Sequence, residues 1–118
     1  MSLANQAATA EQREVGPVPS GASVLVLRGF YEGLEVPVDQ DWMVIGRGRT
    51  ADVVIAEPTI SRAHAAIGYD QSGFFMQDLG STNGTRVNGV REARVGLTDG
   101  DELKLGKLRL LVSLPSTS

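Results

Sequence analysis

Asp78-Leu79-Gly80-Ser81-Thr82-Asn83-Gly84-Thr85 is a run of eight residues, seven of them polar or glycine, set between two apolar segments. Before it, Gly73-Phe74-Phe75-Met76-Gln77 reads as a strand. After it, Arg86-Val87-Asn88-Gly89-Val90 reads as a short strand with a second Asn-Gly. Asn-Gly is a strong hairpin signal because both residues tolerate positive φ. The run is therefore a loop at one end of a β-structure, and it is richer in hydroxyls and amides than a plain turn requires. Hydroxyls and backbone N–H groups in a tight loop are groups that grip an anion or an extended peptide. Gly46-Arg47 and Ser61-Arg62-Ala63-His64 also fall at expected strand ends. The three loops are expected to form one binding surface.

Working outward from this loop, strands are expected over Ser23–Arg28, Leu34–Val38, Trp42–Gly46, Asp52–Ile55, Ala63–Tyr69, Phe74–Gln77, around Arg86–Val90, Arg94-Val95, Leu103–Leu105 and Leu108–Val112. Each is rich in β-branched or apolar residues, and turn residues recur every 8–12 positions. Pro37 cannot donate to a ladder, so its strand belongs at an edge or has a free N–H side there. No helical period exceeds a turn. The pattern predicts an all-β fold, a two-sheet antiparallel β-sandwich of about ten or eleven short strands. The 14 glycines, mostly between strands, match the need for tight turns. Residues 1–21 are expected to be a flexible tail, 22–114 the sandwich domain and 115–118 a frayed end.

The 118 residues suffice for one domain with one core. With 42% hydrophobic and 21% charged residues, the composition is that of a globular domain. Net charge is −3 and no basic run is visible, which argues against nucleic acid as a partner. There are no cysteines, which excludes disulfides and thiolate metal sites and suits a reducing cytoplasm. No apolar run approaches the ~18 residues of a membrane-spanning helix, so membrane insertion is not expected. Neither a metal nor a cofactor is indicated.

The ordered set Gly46-Arg47, Ser61-Arg62-Ala63-His64, Asp78–Thr85 and Val87-Asn88-Gly89 resembles the forkhead-associated (FHA) domain family. Leu97-Thr98-Asp99-Gly100-Asp101 with Leu105-Gly106 resembles that family's C-terminal pattern. The resemblance covers roughly residues 23–113. It implies an FHA/SMAD-like β-sandwich that binds phosphothreonine peptides through loops at one end, within a Ser/Thr kinase pathway, and does not imply catalysis.

Physical chemistry supports these assignments from a separate direction. A phosphate carries about −1.5 to −2 charge and three acceptor oxygens, and a guanidinium meets it with a permanently charged donor fork. The resemblance assigns Arg47 to the phosphate; from position alone it would be an ordinary surface arginine. Ser61 can donate a hydroxyl hydrogen bond, or simply cap a turn after Pro58-Thr59-Ile60. Arg62 fits a basic position that faces the phosphate in the family, or is a solvated charge. The resemblance gives Thr82 a hydroxyl contact on the phosphate side and Asn83 amide contacts to the ligand backbone. Gly46, His64, Ser81, Gly84 and Asn88 are expected to support the loops rather than touch ligand. Arg49 and Arg86 flank the loops and either read acidic peptide residues or are solvated.

Ser61 and His64 are the residue types of a nucleophile and base, but residues three apart on a strand face opposite ways, and no third member stands out; no catalytic residue is assigned. The alternative to a phosphothreonine-binding module is a sandwich of the same fold that binds an unphosphorylated partner. Phosphorylation of Thr9 in the tail would supply a ligand in cis.

Overall fold

The computed structural model describes residues 17–116, and all of its regular structure is β. Eleven strands follow in order: β1 (Ser23–Val26), β2 (Glu35–Pro37), β3 (Trp42–Gly46), β4 (Val53–Val54), β5 (Ala65–Asp70), β6 (Gly73–Asp78), β7 (Thr85–Val87), β8 (Val90–Arg91), β9 (Arg94–Gly96), β10 (Glu102–Leu105) and β11 (Leu108–Ser113). They form a six-stranded sheet in the order β2-β1-β11-β10-β7-β8 and a five-stranded sheet in the order β4-β3-β5-β6-β9. The expected tail over residues 1–21 lies largely outside the described residues, and so does Thr9.

The pairings are antiparallel with one exception. β4 runs parallel to β3, with Ile45 opposite Val53. Asp52 fixes that register twice, since its amide donates to the Val44 carbonyl at 2.9 Å and its carboxylate accepts from the Val44 amide at 2.8 Å. Pro37 sits on β2, at the edge of its sheet, where a missing N–H costs no ladder bond.

The core is the alternate residues of both sheets. β11 is buried at every second position, with Leu108, Leu110 and Val112 inward. Val24, Val26, Leu103 and Leu105 complete that face, and Met43, Ile45, Ile67 and Met76 oppose them. Burying one such side chain stabilises by about 1.5–3 kcal/mol, so the two inner faces carry the fold. β5 departs from the alternation: Ala65, Ala66, Ile67 and Gly68 are all buried. Its outward side is roofed by Phe75, whose ring lies where a Gly68 side chain would project. The Arg94 guanidinium stacks 3.7 Å from the Phe75 ring centre.

Topology gathers the β3–β4, β4–β5, β6–β7 and β10–β11 loops at one end of the sandwich. β3 ends, β5 begins and β6 ends together, because Ile45 pairs with Ala65 and Ala65 with Asp78. In the other sheet, Thr85 opposite Leu105 and Leu105 opposite Leu108 bring the start of β7 and the β10–β11 turn to the same level. The Lys107 amide donates to Thr59 Oγ1 at 2.8 Å and ties the two sheets across that end.

Candidate functional site

Residues 47–52, 55–64 and 79–84 are stitched together by hydrogen bonds, with Ile55 and Ile60 anchoring the middle segment in the core. The Arg47 amide donates to the Ser61 carbonyl, and the Gly48 amide to the Arg62 carbonyl, both at 3.0 Å. This approach needs Gly46: a methyl group there would overlap the Arg62 carbonyl, with its carbon only 2.6 Å away. Arg47 Nε donates to the Ile60 carbonyl at 2.9 Å. That single bond holds the planar group in place and leaves both terminal nitrogens, exposed to solvent, free to donate in a fork.

Ser61 lies in a turn before β5, not on a strand as the sequence suggests. The opposite-faces argument against a Ser61–His64 pair therefore does not apply. The pair is separated for another reason. His64 is fully buried. Its Nδ1 accepts from the Ser61 amide at 3.0 Å, so the ring proton sits on Nε2, which donates to the Gly84 carbonyl at 2.9 Å. The imidazole thus bridges two loops through their backbones and makes no bond to the Ser61 hydroxyl. Ser61 Oγ instead accepts from the Thr82 amide at 3.1 Å, which leaves its own proton to donate outward. Asn83 Nδ2 donates to the Thr59 carbonyl at 2.8 Å, which leaves Oδ1 and one N–H unused.

The central loop is organised by Asp78. Its Oδ2 accepts from the Gly80 and Ser81 amides, and its Oδ1 from Ser81 Oγ at 2.6 Å and Thr85 Oγ1 at 2.8 Å. Partial burial pushes its pKa up, but the Ser81 and Thr85 hydroxyls and the two amides together outweigh burial and hold it below the ordinary value. Ser81 Oγ also accepts from the Gly84 amide at 2.9 Å. Gly80 and Gly84 both take positive φ, the latter 78°. In the neighbouring loop, hydrogen bonds from the Thr59 hydroxyl and amide lower the Glu57 pKa, helped by nearby Lys107.

Arg47, Ser61, Thr82 and Asn83 are thus joined through one backbone network, with Gly46, His64, Ser81 and Gly84 inside it. Arg62 joins the network only through its carbonyl, which accepts from the Gly48 amide, and its residue is exposed, with no guanidinium hydrogen bond among the described residues. Asn88 is elsewhere, at the far end of β7. It takes φ 51° and clasps Asp101 and the Glu102 backbone, so it fixes the β7–β8 hairpin to β10 instead of bracing the loops. Sequence reasoning gave no role to Asp78, Thr59 or Thr85. The available signal was Asp78 three residues before Ser81, the spacing at which an Asp side chain takes the amides of a following turn.

Comparison with known proteins bears on the fold and the family. The FHA domain model matches residues 43–106. The chain is 38% identical over 106 residues to the oxoglutarate dehydrogenase inhibitor of Corynebacterium diphtheriae, covering 89% of this chain and 73% of that protein. It is 37% identical over 95 residues to the glycogen accumulation regulator GarA of Mycolicibacterium smegmatis, covering 80% of this chain but 60% of GarA. A domain solved in a study of phosphothreonine-dependent FHA domain interactions superposes with a TM-score of 0.75 at 30% identity, covering 83% of this chain and 99% of that one.

Proposed function

The chain belongs to the FHA domain family, and we propose that it is a phosphothreonine-dependent peptide-binding module of a Ser/Thr kinase pathway, acting in the cytoplasm and catalysing no reaction. The observation that carries this reading is the Arg47 guanidinium, pinned by one bond to Ile60 with its outer nitrogens free beside the Ser61 hydroxyl loop. In this reading Arg47 and Ser61 grip the phosphate, Arg62 adds charge beside them, Thr82 donates from the opposite loop and Asn83 holds the peptide backbone. A rigid donor set of this kind loses little entropy when it meets a dianion, so charge-assisted bonds convert efficiently into affinity.

The non-catalytic reading is supported by His64, the only histidine. Both of its ring nitrogens are spent on backbone groups, so it has no lone pair or proton for a substrate. Among the described residues no helix is long and apolar enough to cross a membrane. The relatives carry the names of a dehydrogenase inhibitor and of a regulator of glycogen accumulation. A metabolic enzyme, regulated through kinase signalling, is accordingly a target class to test for this chain.

The test is calorimetry with a phosphothreonine peptide, its unphosphorylated form, and the Arg47→Ala variant. Removing Arg47 should cost about 1.5–3 kcal/mol, or roughly ten- to a hundredfold in affinity, from the loss of charged hydrogen bonds. Equal binding by the two proteins, or equal binding of the two peptides, overturns the proposal; the second result would instead favour an unphosphorylated partner.

A further inference from the structure

The outer face of the six-stranded sheet carries a feature that the loops do not explain. Arg109 on β11 stands opposite Lys104 on β10, Lys104 opposite Arg86 on β7, and Arg86 opposite Arg91 on β8. Four cations are therefore in register across four adjacent strands. Like charges directly opposite each other destabilise a sheet, and this occurs in a chain whose net charge is −3. Among the described residues only one of the four is neutralised by an ion pair: Arg109 is bridged by Glu102. Arg86 has one hydrogen bond, to the Gly89 carbonyl at 3.3 Å.

The row lies just below the binding loops and is continuous with them. A concavity of about 290 Å³ opens beside Asn83 and is lined by Arg86, Lys104 and Lys107. A second, of about 490 Å³, shares Lys104 and Lys107 and runs on to Arg28 and Arg109. Together they make one groove leading away from Asn83. Arg91 adds charge at its mouth, since its Nε lies 2.5 Å from where a Gly84 methyl would be. The acids that face this groove are Glu57, already engaged with Thr59, and Glu102, already engaged with Arg109. Cations outnumber acids throughout, and Arg86, Lys104 and Lys107 are exposed.

We propose that this groove binds an acidic segment of the same partner that presents the phosphothreonine, carboxylates on one flank of the modified residue lying over Arg86, Lys104 and Lys107. The inference rests on the phosphothreonine reading and deepens it: Asn83 is both the ligand-backbone contact of that reading and the entrance to the groove. Charge complementarity selects the occupant. A segment of carboxylates removes the self-repulsion of the row, whereas a neutral or basic segment leaves it or worsens it.

The probes are three synthetic phosphothreonine peptides: one with neutral flanks, one with three aspartates before the modified residue and one with three aspartates after it. At low salt the peptide with aspartates on the groove side should bind about tenfold tighter than the neutral one, three exposed charge contacts each contributing modestly. The gain should shrink as salt rises. In the Arg86→Ala/Lys104→Ala double variant the gain should fall to within twofold, while the neutral-flanked peptide binds as before. Equal binding of neutral and acidic peptides by the unaltered protein overturns the inference and leaves the phosphothreonine reading intact. So does an acidic gain that survives the double substitution, which would place its source at Arg49 or Arg62. If none of the peptides binds, the phosphothreonine reading itself fails, and the groove with it.

Discussion

Replacing His64 by alanine removes the fully buried side chain that joins the 55–64 loop to the 79–84 loop beneath the Ser61 and Asn83 contacts. Two consequences can be sized. The Ser61 amide loses its acceptor and the Gly84 carbonyl loses its donor, and each unsatisfied group in a protected position costs about 1–3 kcal/mol. The fully buried ring also leaves a void, whose cost depends on how far the loops collapse. The sum expected is about 3–5 kcal/mol, a large part of the ~5–15 kcal/mol total stability of a small domain. Urea unfolding followed by Trp42, the only tryptophan, measures it. With a slope of about 1–3 kcal/mol per molar urea, the midpoint should fall by roughly 2 M. His64→Leu separates the causes: it fills most of the space and offers no hydrogen bond, so it should still lose about 2 kcal/mol or more. If both variants unfold within 1 kcal/mol of the unaltered protein, the imidazole is not the bridge described here.

Other perturbations probe the same end of the sandwich. Asp78→Ala should cost about 1–3 kcal/mol, from the loss of several hydrogen bonds to a charged acceptor, and is read by the same denaturation. Because the folded-state pKa of Asp78 is depressed, its contribution is present above the unfolded carboxylate value and disappears as pH falls through the lower folded value. The stability difference between the unaltered protein and Asp78→Asn should therefore narrow in acid, below about pH 4. Gly46→Ala should destabilise by about 1–3 kcal/mol or more, because the collision is with the Arg62 backbone, which cannot rotate away as a side-chain tip would. Phe30 is 95% exposed and touches only the edge of the Tyr31 ring, so Phe30→Ala should change the unfolding free energy in urea by no more than about 0.5 kcal/mol; a larger loss would mean that it is buried in solution.

Much of the architecture was legible because it depends on period-two burial. Trp42–Gly46 was read to the residue, and β11 extends the expected Leu108–Val112 by only Ser113. Apolar alternation and glycine-bounded turns are local signals, and both strands obey them. β5 was placed two residues early, since Ala63-His64-Ala65 looks extended in sequence while the Ser61–His64 turn is closed by a side-chain bond that no pattern reveals. The strand expected over Asp52–Ile55 contains β4, but its parallel pairing with β3 was not legible, because that register is set by two hydrogen bonds between Asp52 and the Val44 backbone. The candidate site residues were found through ordered motifs at loop tips. Asp78 received no role because its importance lies in four bonds made after the loop has folded. The cation row was not legible as a run, because it is assembled from β7, β8, β10 and β11 by strand pairing, one charge per strand.

The most direct test of a phosphate-gripping surface at this end of the sandwich is an amide chemical-shift titration with a phosphothreonine peptide. The account predicts that the largest changes fall on the amides of Arg47, Ser61, Thr82 and Asn83, and that the dephosphorylated peptide leaves them in place. Changes centred on the opposite end of the strands, around Asp70-Gln71-Ser72 or Asp99-Gly100, would contradict it.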